Sequence, residues 1–131
     1  MFDIKNARNL TMLTDYYELT MANGYFQRGL HNTPVVFDMF FRRVPDNGGY
    51  AIAAGLEQVI QYIDNLQFAK DDIEFLRNKN TFSDGFLQYL EDFSFQCDVW
   101  AVQEGTPVFP QEPIVVVKGP AAQAQLIETM I

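Results

Sequence analysis

Residues 14–22 constrain the fold more than any other stretch, because they begin a helix that has almost no polar side. Asp15 is a favourable N-cap residue, and Glu18 can return to the free amide in a variant of the capping box. The apolar pattern continues to Phe26 and stops near Gly29, which suits the left-handed position after a helix. A helix that is apolar nearly all round is normally buried on more than one face, so we expect other elements to cover it.

Two tyrosines, Tyr16 and Tyr17, occupy the first turn of this helix. A tyrosine has a flat apolar body and a polar tip, which suits either the core or a site that binds a planar ring. Composition alone favours two core tyrosines. The residues of the helix leave both interpretations open.

Length and composition indicate one globular domain, with 131 residues of which 48% are hydrophobic and 20% charged. No window approaches ~18 uninterrupted apolar residues, so we expect no membrane-spanning segment. Residues 1–5 lack the apolar run of a signal peptide. The single cysteine, Cys97, excludes an internal disulfide and a cysteine-based metal site, and a small buried residue is its simplest role. We therefore expect a cytoplasmic protein.

The charge of the chain is unevenly distributed. The net charge of −8 argues against non-specific binding to nucleic acid. Residues 1–43 carry a net charge of +1 and residues 44–131 a net charge of −9. The excess of positive charge in the first third suits a local anion site, although a scatter of surface charge explains it equally well.

Periodicity and turn residues predict an α+β domain. The first helix is followed by a buried strand over 35–41 and a short strand over 50–54. Three helices come next: one after Gly55 with Leu56, Val59, Ile60 and Ile63 on its core face, one over 71–78 capped by Asp71 and Asp72, and one from Ser83 to Leu90. Short strands are predicted over 99–102, 107–110 and 114–117.

A last helix is predicted to begin at Gly119 and Pro120, since proline suits a first turn. The pattern is still helical and apolar at Ile131. We therefore expect a fragment, with an N-terminal domain over 1–119 and, over 120–131, the start of a helix that leads into a further domain.

Arg42 and Arg43 follow the apolar strand predicted over 35–41. Neighbouring residues of a strand point to opposite faces, so one arginine at most shares a side with Phe40. A charge is costly inside a protein unless it is paired. These arginines are therefore either solvated at the surface or placed to hold an anion.

Most catalytic devices are missing from the sequence. The one histidine, His31, follows the helix stop without a serine or cysteine nearby, and we interpret it as a loop residue. Neither glycine-rich phosphate loop is present. The carboxylates of residues 57–92 lie on predicted exposed helices, with no sign of tuning for acid–base chemistry. What remains is a flat aromatic ring at a helix start and arginines at a strand end, which are parts for holding a planar ring and a phosphate.

Five stretches in order over nearly the whole chain resemble the nicotinate phosphoribosyltransferases. They are residues 14–22, 40–45, 49–57, 104–113 and 119–129, and within the last the matching residues are Gly119, Pro120 and Gln125 to Thr129. The chain departs from the family at Asp46 and Asn47, where members commonly carry Phe-Gly, which affects the expected shape of that loop.

The resemblance implies the α/β-hammerhead-like N-terminal domain of a type II phosphoribosyltransferase, whose barrel domain is absent from this chain. Family members join nicotinate to phosphoribosyl pyrophosphate, giving nicotinate mononucleotide and pyrophosphate in NAD biosynthesis. They are glycosyltransferases that hydrolyse ATP and are also classed as ligases. They use Mg²⁺ and ATP, a barrel histidine accepts the phosphate, and a homodimer shares each site between subunits. No metal ligand, nucleic acid or membrane contact is implied for this chain.

The resemblance also assigns roles to single residues. Tyr17 would stack on the pyridine ring, and Arg42 would lie near the phosphates. Asp15 would be a neighbour of the site, and Arg43 is the weaker candidate of the two arginines. His31 does not match the phosphoacceptor, so no catalytic residue is expected in this chain, which would be inactive alone. The alternatives are a related phosphoribosyltransferase for nicotinamide or quinolinate, and a non-catalytic binding or interaction module.

Overall fold

A computed structural model describes residues 9–44 and 48–131 of the chain, and within these ranges it contains both helices and strands but no closed barrel. The predictions for residues 1–5 and for Asp46 and Asn47 fall outside the described residues. The helices are α1 (Tyr16–Gln27), α2 (Leu56–Asp64), α3 (Lys70–Asn78), α4 (Asp84–Glu91) and α5 (Ala121–Leu126). The strands are β1 (Pro34–Met39), β2 (Ala51–Ile52), β3 (Asp98–Ala101), β4 (Pro107–Val108) and β5 (Val115–Pro120). The predicted α+β class is confirmed.

The larger sheet is antiparallel and has the strand order β1-β5-β3. Its central strand β5 is the most buried, and Val115 and Val117 on its inner face are only 5% and 3% exposed. Val117 pairs with Phe37 of β1 on one side and with Val99 of β3 on the other. The β-branched run therefore occupies the one position of this sheet that is paired on both sides.

Strand β1 differs from the prediction because it is not buried. It lies at an edge of the three-stranded sheet, where Val36 is 58% exposed. It also ends at Met39, so Arg42 and Arg43 follow the strand in a bend. The argument that two adjacent strand residues face opposite sides therefore does not apply to them.

Two apolar clusters form the core, and α5 contributes to both. Phe86, the largest fully buried side chain, belongs to the first cluster, together with Ala122 and Leu126 of α5. The second cluster lies against the sheet and includes Ala124 and Ile127. Small alanines at alternate positions of this short helix allow α1 and the sheet to approach it from different sides.

The last helix is shorter than predicted. Gly119 and Pro120 belong to β5, and α5 ends at Leu126 with Ile127 as its C-cap. The first amides of α5 are not free, because those of Ala121 and Ala122 donate to carbonyls of the loop between α1 and β1, at 2.9 and 3.1 Å. The predicted continuation of the helix to the last residue is therefore wrong.

The remaining helices follow the prediction, with differences at their starts. Ser83 caps α4, since its hydroxyl accepts from the amide of Phe86 at 3.3 Å. Helix α3 begins at Lys70, before the predicted caps. The carboxylate of Asp72 accepts a hydrogen bond from the amide of Ala69, the N-cap residue, at 2.8 Å. On α2 Ile60 is 49% exposed, although the periodicity predicts it on the core face.

Glu104 caps α2 from a distant part of the chain. Gly55 precedes the helix with φ +105 and has no side chain with which to cap it. The carboxylate of Glu104 accepts from the amides of Gly55 and Glu57, at 2.8 and 3.3 Å. Because a negative charge at a helix N-terminus is favourable, this contact fixes the β2–α2 segment against the turn before β4.

Candidate functional site

The first turn of α1 is held by a hydroxyl-bridged network. The Thr129 hydroxyl accepts from the amide of Asp15 at 3.1 Å and donates to Glu18 at 2.6 Å. The Thr14 hydroxyl donates to the other carboxylate oxygen of Glu18, whose side chain is fully buried. The predicted direct capping box is therefore wrong, because the Asp15 side chain makes no cap hydrogen bond and Thr129 stands between Glu18 and the amide.

Tyr17 is not a core residue. Its side chain is 45% exposed, and its hydroxyl donates to Glu128 at 2.7 Å. The second carboxylate oxygen of Glu128 accepts from the side-chain amide of Gln125 at 2.6 Å. The hydrogen bond to Glu128 raises the pKa of the Tyr17 phenol to about 12, because ionisation would remove the donor and place a second negative charge beside the carboxylate.

Tyr16 and Met21 are also exposed, at 49% and 40%. The expectation that other elements cover α1 on more than one face is therefore not met within the described residues. The helix buries Leu19 and Ala22 against the first cluster and leaves an aromatic side open.

A cavity of about 330 Å³ lies between β1, β5 and the turn after α5 that carries Glu128, the acceptor of the Tyr17 hydroxyl. Arg42 and Glu128 both line it, while Arg43 is exposed and does not. The remaining lining residues are Phe37, Asp38, Met39, Phe40, Val115, Val117, Ala124 and Ile131. Within the described residues Arg42 makes no ion pair, and its charge is available to an anion in the cavity.

The segment that carries Arg42 is held by the loop after β4. The amide of Gln111 donates to the carbonyl of Phe41 at 2.9 Å, and Gln111 adopts the left-handed conformation with φ +67. The carboxylate of Glu112 closes the same loop by accepting from the amide of Phe109 at 3.2 Å. Arg42 is therefore placed by a fixed backbone although it lies outside a strand.

These contacts join the five stretches that carry the resemblance. Residues 14–22 meet 125–129 through Glu18 and Tyr17. Residues 40–44 meet 104–113 through the Gln111 amide. Residues 49–57 meet 104–113 through Glu104. The stretches are separated in sequence but bonded pairwise in the fold.

His31 has a packing role. Its ring lies 4.8 Å from that of Phe26 and 5.5 Å from that of Tyr89, measured between centroids. Its carbonyl accepts from the first turn of α5. The predicted loop position is confirmed, and no serine, cysteine or carboxylate of the described residues bonds to its ring.

Across residues 9–44 and 48–131, no group of three or more His, Cys, Asp and Glu side chains is arranged to hold a metal ion. Cys97 is half-buried, and burial raises the pKa of its thiol to about 11, as expected for a small packing residue. No helix in these ranges has the length and hydropathy that crossing a membrane requires.

Gln125, Glu128 and Thr129 contribute to the site, although the sequence patterns do not predict them as site residues. Gln125 is 4% exposed, and the other two hold the first turn of α1. The available signal was a glutamine, a glutamate and a threonine within an otherwise apolar helix pattern. Buried polar groups need partners, so such residues point to a neighbouring element that presents donors and acceptors.

Comparison with known protein families matches residues 12–131 to the N-terminal domain of nicotinate phosphoribosyltransferase (NAPRTase). Nicotinate phosphoribosyltransferase pncB2 of Mycobacterium tuberculosis is 42% identical over 120 residues, which are 92% of this chain and 26% of that protein. Nicotinate phosphoribosyltransferase of Bacillus subtilis is 39% identical over 123 residues, 94% of this chain and 25% of that protein. The chain thus spans about a quarter of the length of these curated relatives.

Among solved structures, that of human nicotinic acid phosphoribosyltransferase superposes with a TM-score of 0.82 at 33% identity, covering 89% of this chain and 24% of that one. Nicotinate-nucleotide pyrophosphorylase from Pyrococcus furiosus superposes with a TM-score of 0.59 at 18% identity, covering 96% of this chain and 26% of that one, which is a likeness of fold alone.

Proposed function

We propose, since the chain belongs to the nicotinate phosphoribosyltransferase family, that it supplies part of a site joining nicotinate to phosphoribosyl pyrophosphate, with nicotinate mononucleotide and pyrophosphate as products. The observation that carries the proposal is the cavity lined by Arg42 and Glu128, since Glu128 also accepts the hydrogen bond of the exposed Tyr17. The names of the relatives favour nicotinate over the alternatives nicotinamide and quinolinate. No observation favours a non-catalytic module.

The residues of this chain would act by binding and orientation. Tyr17 offers a flat face to a pyridine ring, and Arg42 offers a planar, permanently charged group to phosphate oxygens. Asp15 is the N-cap residue of the helix that carries Tyr17, and Arg43 lies outside the cavity lining. Holding two reactants in a fixed geometry is a large part of catalysis for such a transfer, and charge stabilisation of the leaving pyrophosphate is the rest.

Mg²⁺ and ATP belong to the proposed reaction but not to residues of this chain. No group of carboxylates among the described residues is arranged for a metal ion, and His31 is enclosed by aromatic rings. We propose that a barrel domain with a phosphoacceptor histidine supplies both functions, in a full-length enzyme. By full-length enzyme we mean a chain of the relatives' length that contains residues 1–131. We further propose a cytoplasmic homodimer that shares each site between subunits.

In the full-length enzyme, Arg42→Ala is expected to raise the KM for phosphoribosyl pyrophosphate about tenfold or more, with a smaller effect on nicotinate. A charge-assisted hydrogen bond is worth about 1.5–3 kcal/mol, which sets this magnitude. Steady-state kinetics with each substrate varied in turn measures the effect.

Arg43→Ala is the matched control, because it removes the same charge from the neighbouring position outside the cavity lining. We expect it to change either KM much less. If the two variants affect both substrates equally, Arg42 has no special role and net charge explains the result.

Tyr17→Ala in the full-length enzyme is expected to raise the KM for nicotinate roughly tenfold, through loss of stacking area and of a fixed ring. Tyr17→Phe keeps the ring and should raise it less. Because Tyr17 is 45% exposed, thermal unfolding should change little in either variant. Marked destabilisation of the alanine variant would show that the ring supports the fold.

The sharing of sites between subunits has a separate test. Mixing the Tyr17→Ala subunit with one inactivated in the barrel is expected to restore about a quarter to a half of the sites if each site takes its tyrosine from the partner. Activity that stays at the level of the separate variants would place Tyr17 in the site of its own subunit.

A further inference from the structure

We propose that Glu128, which lines the cavity, is a positioning residue that fixes the orientation of the Tyr17 ring by accepting the hydrogen bond of its hydroxyl. The bond measures 2.7 Å between Tyr17 Oη and Glu128 Oε1. This inference rests on the proposed function, because it matters only if the Tyr17 ring contacts the substrate.

The acceptor is itself fixed. Its second oxygen accepts from Gln125 Nε2 at 2.6 Å, and Gln125 is 4% exposed in α5, between the two core clusters. The chain of contacts therefore runs from the packed core through Gln125 and Glu128 to the exposed phenol. An exposed tyrosine without such an anchor rotates among several side-chain rotamers.

The backbone on both sides of this bond is also tied together. Thr129, next to Glu128, binds Asp15 and Glu18, which flank Tyr17 in the first turn of α1. The helix start and the turn after α5 are thus bonded to each other, with the phenol bond at the exposed end of this network. Because fixing a side chain before binding lowers the entropy lost on binding, the anchor strengthens the ring contact without touching the ligand.

The strength of the phenol bond agrees with this role. Glu128 is the main reason that the pKa of the Tyr17 phenol is raised to about 12, and the charges of Glu18 and Asp15 act in the same direction. A charged acceptor makes a stronger hydrogen bond than a neutral one. Replacing Glu128 by glutamine should therefore weaken the anchor but not abolish it.

The test is a double-mutant cycle in the full-length enzyme, with the KM for nicotinate as the readout. We expect Glu128→Ala and Tyr17→Phe each to raise this KM about threefold, less than Tyr17→Ala, with kcat changed less. The double variant should be no worse than either single variant, because both remove the same bond. Glu128→Gln should lie between wild type and Glu128→Ala.

Glu91→Gln serves as the matched control, since it removes a carboxylate from the exposed end of α4 and should leave the KM unchanged. Thermal unfolding of each variant separates a folding defect from a binding defect. If Glu128→Ala does not fold, Glu128→Gln replaces it in the cycle. The KM of Glu128→Gln is then compared with that of wild type, both with and without the Tyr17→Phe substitution.

Two results would overturn this inference alone, and a third would also overturn the proposed role of the Tyr17 ring. An unchanged KM in Glu128→Ala, while Tyr17→Ala raises it, shows that the ring needs no anchor. Equal losses from Glu128→Ala with and without the phenol hydroxyl show that Glu128 acts directly and not through Tyr17. An unchanged KM in Tyr17→Ala itself removes the proposed function of that ring, and the inference with it.

Discussion

Purified alone, the 131-residue chain is expected to form no nicotinate mononucleotide from nicotinate and phosphoribosyl pyrophosphate, even with Mg²⁺ and ATP present. The described residues supply the exposed ring of Tyr17 and the cavity-lining Arg42, but no group of side chains arranged to hold a metal ion. The sole histidine packs against Phe26 and Tyr89, and among the described residues its ring has no partner for proton or phosphate transfer. Since catalysis of such a transfer needs both substrates fixed and charge stabilised, we expect these groups alone not to support turnover.

A product assay by chromatography checks this expectation, with the full-length enzyme under identical conditions as the positive control. Circular dichroism and cooperative unfolding of the isolated chain show whether it is folded in the assay. Product formation above the no-protein background by a folded chain contradicts the proposal that the barrel supplies the phosphoacceptor.

The existence of the elements could be predicted from the sequence, and their boundaries less well. Helix α1 and the cap of α4 at Ser83 follow from local rules that involve neighbouring residues only. The true start of α1 depends on Thr129, more than a hundred residues away. Local capping rules cannot include such a partner. They therefore predict the position of the helix start correctly but not the hydrogen bonds that cap it.

In the candidate site too, part of the arrangement could be predicted from the sequence and part depends on distant contacts. The roles of Tyr17 and Arg42 were predicted from the resemblance. In the structure, Arg42 lines the same cavity as Glu128, and Glu128 accepts the hydrogen bond of the Tyr17 hydroxyl. Whether an apolar strand is buried depends on its position in the sheet, which periodicity does not contain. β1 is therefore exposed at an edge although its residues suit a central strand.

Gly119 has a role that local rules do not predict. The helix predicted to begin at Gly119 and Pro120 begins at Ala121, with Pro120 as its N-cap. In the fold Gly119 is a strand residue paired with Val35, and the register of β3 with β5 brings Cys97 beside it. A side chain at 119 would meet Cys97, which explains why a residue without a Cβ stands there.

Gly119→Ala is expected to destabilise the protein by about 3 kcal/mol, at the upper end of the usual cost of overpacking. A Cβ built at this position lies 2.5 Å from the sulfur and 2.8 Å from the Cα of Cys97. The sulfur can turn aside, but the Cα belongs to the backbone at the edge of β3 and moves only with the strand. Equilibrium unfolding in urea measures the loss.

Two further variants decide the cause of that loss. Gly24→Ala is the matched control, because Gly24 lies in α1 with nothing within 4 Å of an added Cβ, and it should stabilise the protein by about 0.5–1 kcal/mol. Cys97→Ala combined with Gly119→Ala removes the sulfur contact but not the backbone contact, so it should recover only part of the stability. Full recovery would place the whole cost on the sulfur, and equal effects of the two glycine variants would show that no close approach at β5 exists.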